Sequence, residues 1–513
     1  MGGISDNRRI AKNTVLLYIR TAVVLFISLY TSRLVLKVLG AEDLGIYNVV
    51  GGIVALMIFF RSALSKSTSR FITYELGGSG GSSALKRIFS SAMTIHIVIA
   101  IAALIIGETI GLLILEHWTD IPNVRRDAAF WVFQSALGVF CLQLIIAPYE
   151  SVIIAHENMS VFAYMSIFTV LLKLGVVCLL QGSSADRLVL YGLSLFLIDL
   201  LGLIIYYQYN KKKYPVFRFC FLWDREYSRK LFSFSGWTLA GSSANAATQQ
   251  GVSLLFNNFV GLIANTALGF ANQVNSAVSH FVASFQTAFN PQIIKLYASK
   301  EIVQMHLLML RASKFSFLLA YVLVLPLVAN MKYVLSIWLR EVPEYTVEFC
   351  QLILVCCVID SISGVFNTAI TATGNIRGFQ IGISISFVLD LITAAALLMI
   401  HWSPALVFGS RIITRGFINM LIMMQFARKQ LSFDIKNYVS KVLTPIMVIL
   451  MVSIPLILLM VSFFHGWQSL IMSCATSILL NGCLAYLLLL EKDERASVNV
   501  YIKRIVCRLP IRL

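Results

Sequence analysis

Several basic residues lie inside long apolar segments near the start of the chain, where a charge needs a partner. Arg20 falls about eight residues into the first segment, and Arg61 falls about eight residues before the end of the second. At 1.5 Å per helical residue, both guanidinium groups lie roughly 12 Å from one membrane surface. Lys66 and Arg70 continue this cationic line towards that surface. Neither segment carries Asp or Glu at that level, so the pattern favours an external anion such as a pyrophosphate; contact with lipid phosphates is the alternative.

Neutral amide side chains mark two later apolar segments. They are Asn245, Gln249, Asn272 and Gln273. Amides offer uncharged donors and acceptors, so they suit the hydroxyl groups of a sugar that enters a water-filled cavity. Hydrogen bonds between neighbouring helices are the alternative use. The sequence therefore predicts either a substrate-binding wall or interhelical contacts at these positions.

Further charges in the apolar segments favour ion pairs. Asp390 and Arg415 lie at similar mid-membrane depth, which predicts a buried structural ion pair. Lys173 is either a substrate-binding cation of an outer cavity or the partner of Asp199 on the adjacent segment. Glu150 lies near the end of its segment, and we expect it to be solvated.

No motif of an enzyme or of a cofactor site occurs in the chain. The sequence has no G-x-S-x-G, P-loop or H-E-x-x-H pattern. The nine cysteines are scattered, without the spacing of metal ligands, and are interpreted as small apolar side chains. We therefore expect no catalytic activity, no cofactor and no bound metal ion.

The composition indicates a polytopic membrane protein. Of 513 residues, 58% are hydrophobic and only 13% are charged, whereas soluble domains carry about a quarter charged residues. Basic residues are unevenly distributed: 29 of the 41 Lys and Arg lie in loops on one side, and 5 lie in loops on the other. This bias places both termini in the cytoplasm. It also explains the net charge of +17 without a nucleic-acid partner.

The apolar segments predict an all-α membrane protein with about fourteen transmembrane helices. Helices 1–6 occupy residues 1–208, and a basic cytoplasmic connector follows at 209–229. Helices 7–12 occupy 230–428, and a final pair occupies 429–490. A basic cytoplasmic tail completes the chain at 491–513. The seventh and eighth segments are the weakest, because they are rich in Ser, Thr, Asn and Gln.

A short phrase occurs twice. LGIYNVVGG begins at Leu44, and LGFANQVNS begins at Leu268. Six predicted spans separate the copies, so both insert with the same orientation. Parallel repeats of this kind are typical of transporters that bind substrate between two pseudo-symmetric halves. Because arginines flank only the first copy, we expect the first half to receive the anion.

The chain resembles a known family in LGAEDLGIYNVV and in GWTLAGSSANAATQQGVSLLFNNFVGLIANTALGFANQV, which is soon followed by FNPQIIKLYAS. These stretches are similar to the polysaccharide transporters, the Wzx-type oligosaccharide-lipid flippases of the multidrug/oligosaccharidyl-lipid/polysaccharide (MOP) exporter superfamily. The resemblance implies two six-helix lobes that form a V around a central cavity, as in the multidrug and toxin extrusion (MATE) transporters. It further implies alternating access to that cavity, and a final helix pair beside a groove for the lipid tail.

The resemblance implies a substrate of undecaprenyl-pyrophosphate-linked oligosaccharide, moved from the cytoplasmic to the periplasmic leaflet of a bacterial inner membrane. The implied partners are this substrate, membrane lipids and other polysaccharide-assembly proteins, and a coupling ion, H⁺ or Na⁺, is left open. A cation-coupled multidrug antiporter is the alternative function. Such proteins usually need a membrane carboxylate in the first lobe, and the first span has none. A polytopic glycosyltransferase is disfavoured by the short external loops.

Overall fold

The computed structural model describes residues 2–78, 80–117, 121–182, 185–222, 224–339, 341–490 and 495. All of its elements are helices, and the described residues contain no strand. The all-α membrane fold expected from the sequence is therefore confirmed. Of the basic tail predicted at 491–513, only Arg495 lies within the described residues.

Fourteen long helices follow one another along the described chain, which is the number that the apolar segments predict. They are α1 (2–40), α2 (41–77), α3 (Gly81–Leu115), α4 (Asn123–Ala155), α5 (Met159–Leu180), α6 (Arg187–Lys213), α7 (Arg225–Phe259), α8 (Leu262–Ala298), α9 (Ile302–Ala329), α10 (Thr346–Thr373), α11 (Arg377–Met399), α12 (Pro404–Leu431), α13 (Ile435–Phe463) and α14 (Gly466–Leu489).

A single glycine divides α1 from α2. The helical stretch Gly2–Gly77 is continuous except at Gly40, where φ is 81° and ψ is 173°. Glycine adopts this positive φ without the steric cost that a side chain would add. The sequence predicts a short loop between the first two spans, and the structure instead has a kink one residue long.

Eleven of the fourteen helices are long and apolar enough to cross a membrane by length and composition. Of the other three, α2 carries the apolar stretch 44–60 and has side chains outside the described residues, whereas α7 and α8 are the polar helices that the sequence marks as weak. Helices of this polarity cross a bilayer only where they face other helices or a water-filled cavity. The polarity of α7 and α8 therefore indicates faces that contact protein or water rather than lipid.

Contacts divide the chain into two compact units. The first unit comprises Met1–Ala246, Ala283–Met305 and Thr368–Ser384, and the second comprises Ala247–Val282, His306–Asn367 and Ile385–Leu513. The two units are defined by contacts between residues, whereas the predicted boundaries at 208, 229, 428 and 490 follow the order of the spans and the repeat along the sequence. Those boundaries stay a prediction.

The core of the first unit is built around α4. Phe133, Leu137 and Val152 are buried in one hydrophobic cluster that also includes Phe89 of α3. Glycines allow α3 to approach closely, because a Cβ at Gly107 would lie 2.5 Å from a methyl carbon of Leu137. Close packing of small residues is a main source of helix association in membranes.

In the second unit, a stripe of small polar residues fixes α14 against α9 and the residue after it. Ser469, Ser473 and Ser477 are buried at four-residue spacing, so they share one helix face. Ser469 donates to Asn330 Oδ1 at 2.6 Å, and Asn330 Nδ2 donates to Ser473 Oγ at 2.8 Å. Ser477 donates to the Val322 carbonyl at 3.0 Å. This face of α14 therefore packs against protein rather than lipid.

The end of α2 packs against the backbone of α8, and this contact predicts an effect on stability. A Cβ at Gly77 would lie 2.6 Å from Lys295 Cα and 2.7 Å from the Lys295 carbonyl oxygen. We expect Gly77→Ala to lower the free energy of unfolding by about 1–3 kcal/mol, because backbone atoms must shift. Thermal unfolding of the purified protein in detergent measures the change. Gly45→Ala is the matched control, since its Cβ would have no neighbour within 4 Å; equal melting temperatures for the two variants would contradict the prediction.

Candidate functional site

A polar cavity of about 530 Å³ lies within the first unit and collects most of the cations that the sequence singles out. Residues of α1, α2, α4, α5, α7, α8 and α10 line it. Its charged lining residues are Arg20, Arg61, Lys66, Arg70 and Glu150. With four basic groups and one carboxylate, the cavity has a large excess of positive charge. We call it the first cavity.

One face of α2 supplies much of the polar lining of the first cavity. The lining positions on this helix are 61, 62, 65, 66, 69, 70 and 73. They advance in steps of one turn, which places their side chains on a single face. Serines and a threonine separate the basic residues along that face, so hydroxyl groups and cations alternate. Further lining residues of the first cavity, such as Asn290 and Thr368, come from α8 and α10.

Arg20 reaches the first cavity without a complete set of partners. Its guanidinium carbon lies 4.7 Å from the ring centre of Phe162 on α5, which is a cation–π contact. Its Nε is buried and has no hydrogen-bond partner among the described residues. An unsatisfied donor of a charged group in such a place is costly, and an anion in the cavity would relieve that cost.

Arg61 has a carboxylate partner that the sequence reasoning missed. Arg61 Nη2 lies 3.5 Å from Glu150 Oε2, and Arg61 Nε donates to the Gln143 carbonyl at 3.4 Å. Glu150 also accepts a hydrogen bond from the Tyr206 hydroxyl at 3.3 Å. The expectation that Glu150 is solvated near the end of a span is wrong, because α4 continues to Ala155 and carries Glu150 into the cavity.

Arg70 is the most enclosed cation of the first cavity. It is 8% exposed, and its Nη2 donates to the Ala372 carbonyl at 2.6 Å. Its guanidinium carbon lies 4.7–5.8 Å from the ring centres of Phe71, Tyr74 and Phe234. Its Nε has no hydrogen-bond partner among the described residues. Arg70 therefore ties α2 to the end of α10 and keeps one unused donor.

Lys173 is not among the residues that line the first cavity. Asp199, its alternative partner, is 7% exposed and accepts a hydrogen bond from Gln143 Nε2 at 3.0 Å. Within the described residues no ion pair joins Asp199 to Lys173. The Lys173–Asp199 pairing is therefore wrong, and the role of Lys173 as a cavity cation stays a prediction.

The four amides that the sequence singles out lie in both units and outside the first cavity. Asn245 is half-buried in the first unit. Gln249, Asn272 and Gln273 are exposed on α7 and α8 in the second unit. Their assignment to a substrate-binding wall stays a prediction.

The second unit contains an ionic cluster around the fully buried Asp390. Arg415 Nε lies 3.8 Å from Asp390 Oδ2, and Arg411 Nε lies 3.3 Å from the same oxygen. Thr414 donates to the other carboxylate oxygen at 2.8 Å. A π-helical turn, Ile412–Phe417, carries Thr414 and Arg415 within α12. The cluster thus contains a second arginine, Arg411, beside the predicted pair. A structural role for the Asp390–Arg415 pair stays a prediction.

A buried carboxylate in the turn between α4 and α5 holds the end of α8, which belongs to the first unit, by an ion pair and a hydrogen bond. Glu157 is 5% exposed and has a φ of 57°. Lys295 Nζ lies 2.7 Å from its Oε1, and Gln292 Nε2 donates to its Oε2 at 3.1 Å. The Glu157 carbonyl accepts a hydrogen bond from Asn13 on α1 at 3.2 Å. Sequence reasoning missed this network, because Glu157 lies in a turn far from Lys295 along the chain.

The fold defines the class of protein. A MATE protein point mutant has a TM-score of 0.72 at 11% identity, with 83% of this chain and 96% of that chain covered. An outward-facing multidrug resistance MATE transporter of the MOP superfamily has a TM-score of 0.69 at 12% identity, with the same coverage. A MOP superfamily transporter from Pyrococcus furiosus, which has a binding pocket of reverse polarity, has a TM-score of 0.66 at 12% identity. Again, 83% of this chain and 96% of that chain are covered. The chain therefore has the fold of MOP superfamily membrane transporters.

The family follows from the sequence itself. The family model described as "Polysaccharide biosynthesis protein" matches residues 10–297, which is more than half of the chain. The chain belongs to this polysaccharide biosynthesis protein family, and its eleven long apolar helices are those of a multi-pass membrane protein. No curated protein sequence matches it significantly.

The Glu157 network predicts a measurable loss of stability. In Lys295→Gln, the buried carboxylate of Glu157 loses the ammonium group at 2.7 Å and keeps the hydrogen bond from Gln292. We expect the free energy of unfolding to fall by about 2 kcal/mol, less than for a fully enclosed pair, because the Lys295 side chain is 27% exposed. Thermal unfolding in detergent measures the change.

The matched control for Lys295→Gln is Lys230→Gln. Lys230 forms a pair with Glu226 at 2.5 Å, and these side chains are 57% and 73% exposed. We expect this exposed pair to contribute about 0.5 kcal/mol or less. A Lys230→Gln variant that loses as much stability as Lys295→Gln would show that burial does not determine the effect.

Proposed function

We propose that the protein is a flippase that moves undecaprenyl-pyrophosphate-linked oligosaccharide from the cytoplasmic to the periplasmic leaflet of the bacterial inner membrane. The observation that carries this proposal is the first cavity, where four basic residues meet one carboxylate inside a bundle of membrane helices. Membership in the polysaccharide biosynthesis protein family supports the substrate class. A MOP-type fold supports alternating access of the cavity to the two leaflets.

The chemistry of the headgroup matches the cations of the first cavity. A pyrophosphate diester carries two negative charges and several acceptor oxygens. Guanidinium groups bind such oxygens through paired, charge-assisted hydrogen bonds. Arg20 and Arg70 each keep a buried Nε without a partner, and Arg61 is bound to a carboxylate at 3.5 Å rather than at hydrogen-bond distance. Lys66 is exposed and adds a point charge.

The neutral polar groups suit the sugar part of the substrate. Hydroxyl groups of α2, α8 and α10 line the first cavity beside the cations. In this proposal the amides Asn245, Gln249, Asn272 and Gln273 extend the polar surface for the oligosaccharide, and Lys173 acts in an outer cavity. The volume of about 530 Å³ lies in the range of small-molecule sites and suits a headgroup rather than a whole glycolipid. The lipid tail then stays in the bilayer.

Orientation follows the distribution of Lys and Arg, which places both termini and the basic connector 209–229 in the cytoplasm. The Glu157–Lys295 and Arg70–Ala372 contacts then lie towards the cytoplasmic end of the first unit. Under alternating access, both contacts open when the headgroup enters from that side.

A cation-coupled multidrug antiporter is the second candidate function, and two carboxylates favour it. Glu150 lines the first cavity, and Asp199 is buried beside Gln143 on the neighbouring helix. Antiporters for cationic drugs need such acids, but four basic residues in the same cavity repel a cationic drug. Drug-sensitivity profiles of a deletion strain distinguish the two functions.

Transport tests the flippase directly. Purified protein in vesicles should move a fluorescent undecaprenyl-pyrophosphate oligosaccharide between leaflets. We expect Arg20→Gln combined with Arg61→Gln to slow this movement at least tenfold, because two charge-assisted contacts to the headgroup are lost. Arg33→Gln is the matched control, since Arg33 is exposed on the same helix α1 and does not line the cavity. An unchanged rate in the double variant refutes the assigned site.

Removal of Glu150 should have the opposite effect on binding. In Glu150→Gln, Arg61 loses a competing internal anion, so we expect inorganic pyrophosphate to bind about fivefold more tightly. Calorimetric titration of the detergent-solubilised protein measures the affinity. Glu108→Gln serves as the control, because Glu108 is bound by Gln134 and does not line the cavity. Weaker binding by Glu150→Gln would mean that the carboxylate helps to hold the anion.

A further inference from the structure

A second and larger cavity, of about 1190 Å³, lies in the first unit beside the start of α7. The end of α2, the first turns of α7 and the turn between α10 and α11 form its walls. The proposed transport site does not use this cavity, although Arg70 and Phe234 line both cavities. We call it the second cavity.

Cations dominate the second cavity. Its basic lining residues are Arg70, Arg225, Arg229, Lys230 and Arg377, and its acidic ones are Glu75 and Glu226. Lys230 and Glu226 neutralise one another at 2.5 Å. Four guanidinium groups from three separate segments therefore face one remaining carboxylate. Because Arg225, Arg229 and Arg377 are exposed, solvent screens much of their mutual repulsion, and the case for an anion site depends on the buried Arg70.

Arg70 shows that the cluster is more than a solvated surface patch. Although the side chain is only 8% exposed, its Nε lacks a hydrogen-bond partner among the described residues. The opposing turn leaves room for the guanidinium group, since a Cβ at Gly374 would lie 2.9 Å from Arg70 Nη2. Gly374 has a φ of 80°, which also favours glycine there. A buried, charged donor is thus held at the wall of the cavity with capacity for an acceptor.

Aromatic rings lie beside these cations. The guanidinium carbon of Arg377 lies 5.3 Å from the ring centre of Trp237, and Lys230 lies 6.0 Å from that of Tyr227. The guanidinium carbon of Arg70 lies 5.8 Å from the ring centre of Phe234, which also lines the cavity. A site that combines guanidinium groups with aromatic faces suits a ligand with a phosphate and a ring.

We propose that the second cavity is an anion-binding site for a phosphate ester that carries a sugar or nucleoside ring, distinct from the site of the transported pyrophosphate. The inference rests on the proposed function only for orientation, which places the cavity at the cytoplasmic face. The phosphate ester can come from two sources, a soluble nucleotide sugar or the headgroup of a glycosylated lipid phosphate. Arg70 would contact ligands in both cavities, so occupancy of one cavity changes the charge that the other experiences.

The test titrates the full-length protein with two probes. Uridine diphosphate glucose is added to protein in neutral detergent, and the headgroup source is tested in nanodiscs of phosphatidylcholine with increasing phosphatidylinositol. We expect saturable binding of at least one probe, and we expect Arg225→Gln with Arg229→Gln to weaken it at least about tenfold. Arg225 and Arg229 are exposed, so the double variant should fold. Lys211→Gln with Lys212→Gln is the control, because it removes two exposed charges outside the cavity.

The outcomes separate the ligand sources and the two proposals. Binding of the soluble probe assigns a nucleotide sugar, and binding of the lipid probe alone assigns a headgroup. An absence of saturable binding for both probes overturns the inference, as does equal weakening in the control variant. Loss of binding in Arg20→Gln also overturns it, because Arg20 lines only the first cavity. If the Arg20 and Arg61 variants transport normally while this binding persists, the proposed function fails and the second site stands.

Discussion

The membrane-spanning helices of this protein must compensate the positive charge of arginine side chains, because arginine does not lose its proton in a protein. Arg20 uses an aromatic face, Arg61 uses a carboxylate and a carbonyl, and Arg70 uses a carbonyl and three rings. The solutions for Arg20 and Arg70 are incomplete, because buried donor atoms of both stay unpaired in the described structure. A site built for stability alone would satisfy them. In the proposed function, these unpaired donors are what the first cavity offers to an anion.

The same constraint bears on the polar residues of three helices, α2, α7 and α8. Helix α2 places basic and hydroxyl side chains on one face, and that face lines the first cavity. Other residues of α2 pack into the core, where Ile72 and Leu64 are buried. Polar residues on α7 and α8 likewise reduce their suitability for lipid. Their cost in a bilayer is avoided where water, protein or ligand replaces lipid.

The sequence predicts the helices well, because hydropathy depends on local sequence, and the depth that it assigns to the cations stays a prediction. It does not predict the partner of Arg61, since that choice depends on the rotation of α4, which places Glu150 towards the cavity. The kink at Gly40 depends on one backbone angle. The serine stripe of α14 had a visible signal in its four-residue spacing, but its partner Asn330 lies in a separate segment. Pairings between distant segments are therefore what local patterns leave open.

An internal carboxylate in a cavity for an anionic substrate has a physical rationale. A transporter must bind its substrate strongly enough to collect it and weakly enough to release it. Four uncompensated cations in a region of low dielectric would hold any phosphate, including that of an ordinary phospholipid. Glu150 competes with an incoming anion for Arg61, and the hydrogen bond from the Tyr206 hydroxyl holds the Glu150 carboxylate in position. In the proposed function, the carboxylate would return to Arg61 when the headgroup leaves, so release would not expose a bare guanidinium. Glu150 would thus reduce the affinity for a single phosphate, and a pyrophosphate with two charges would keep an advantage over it.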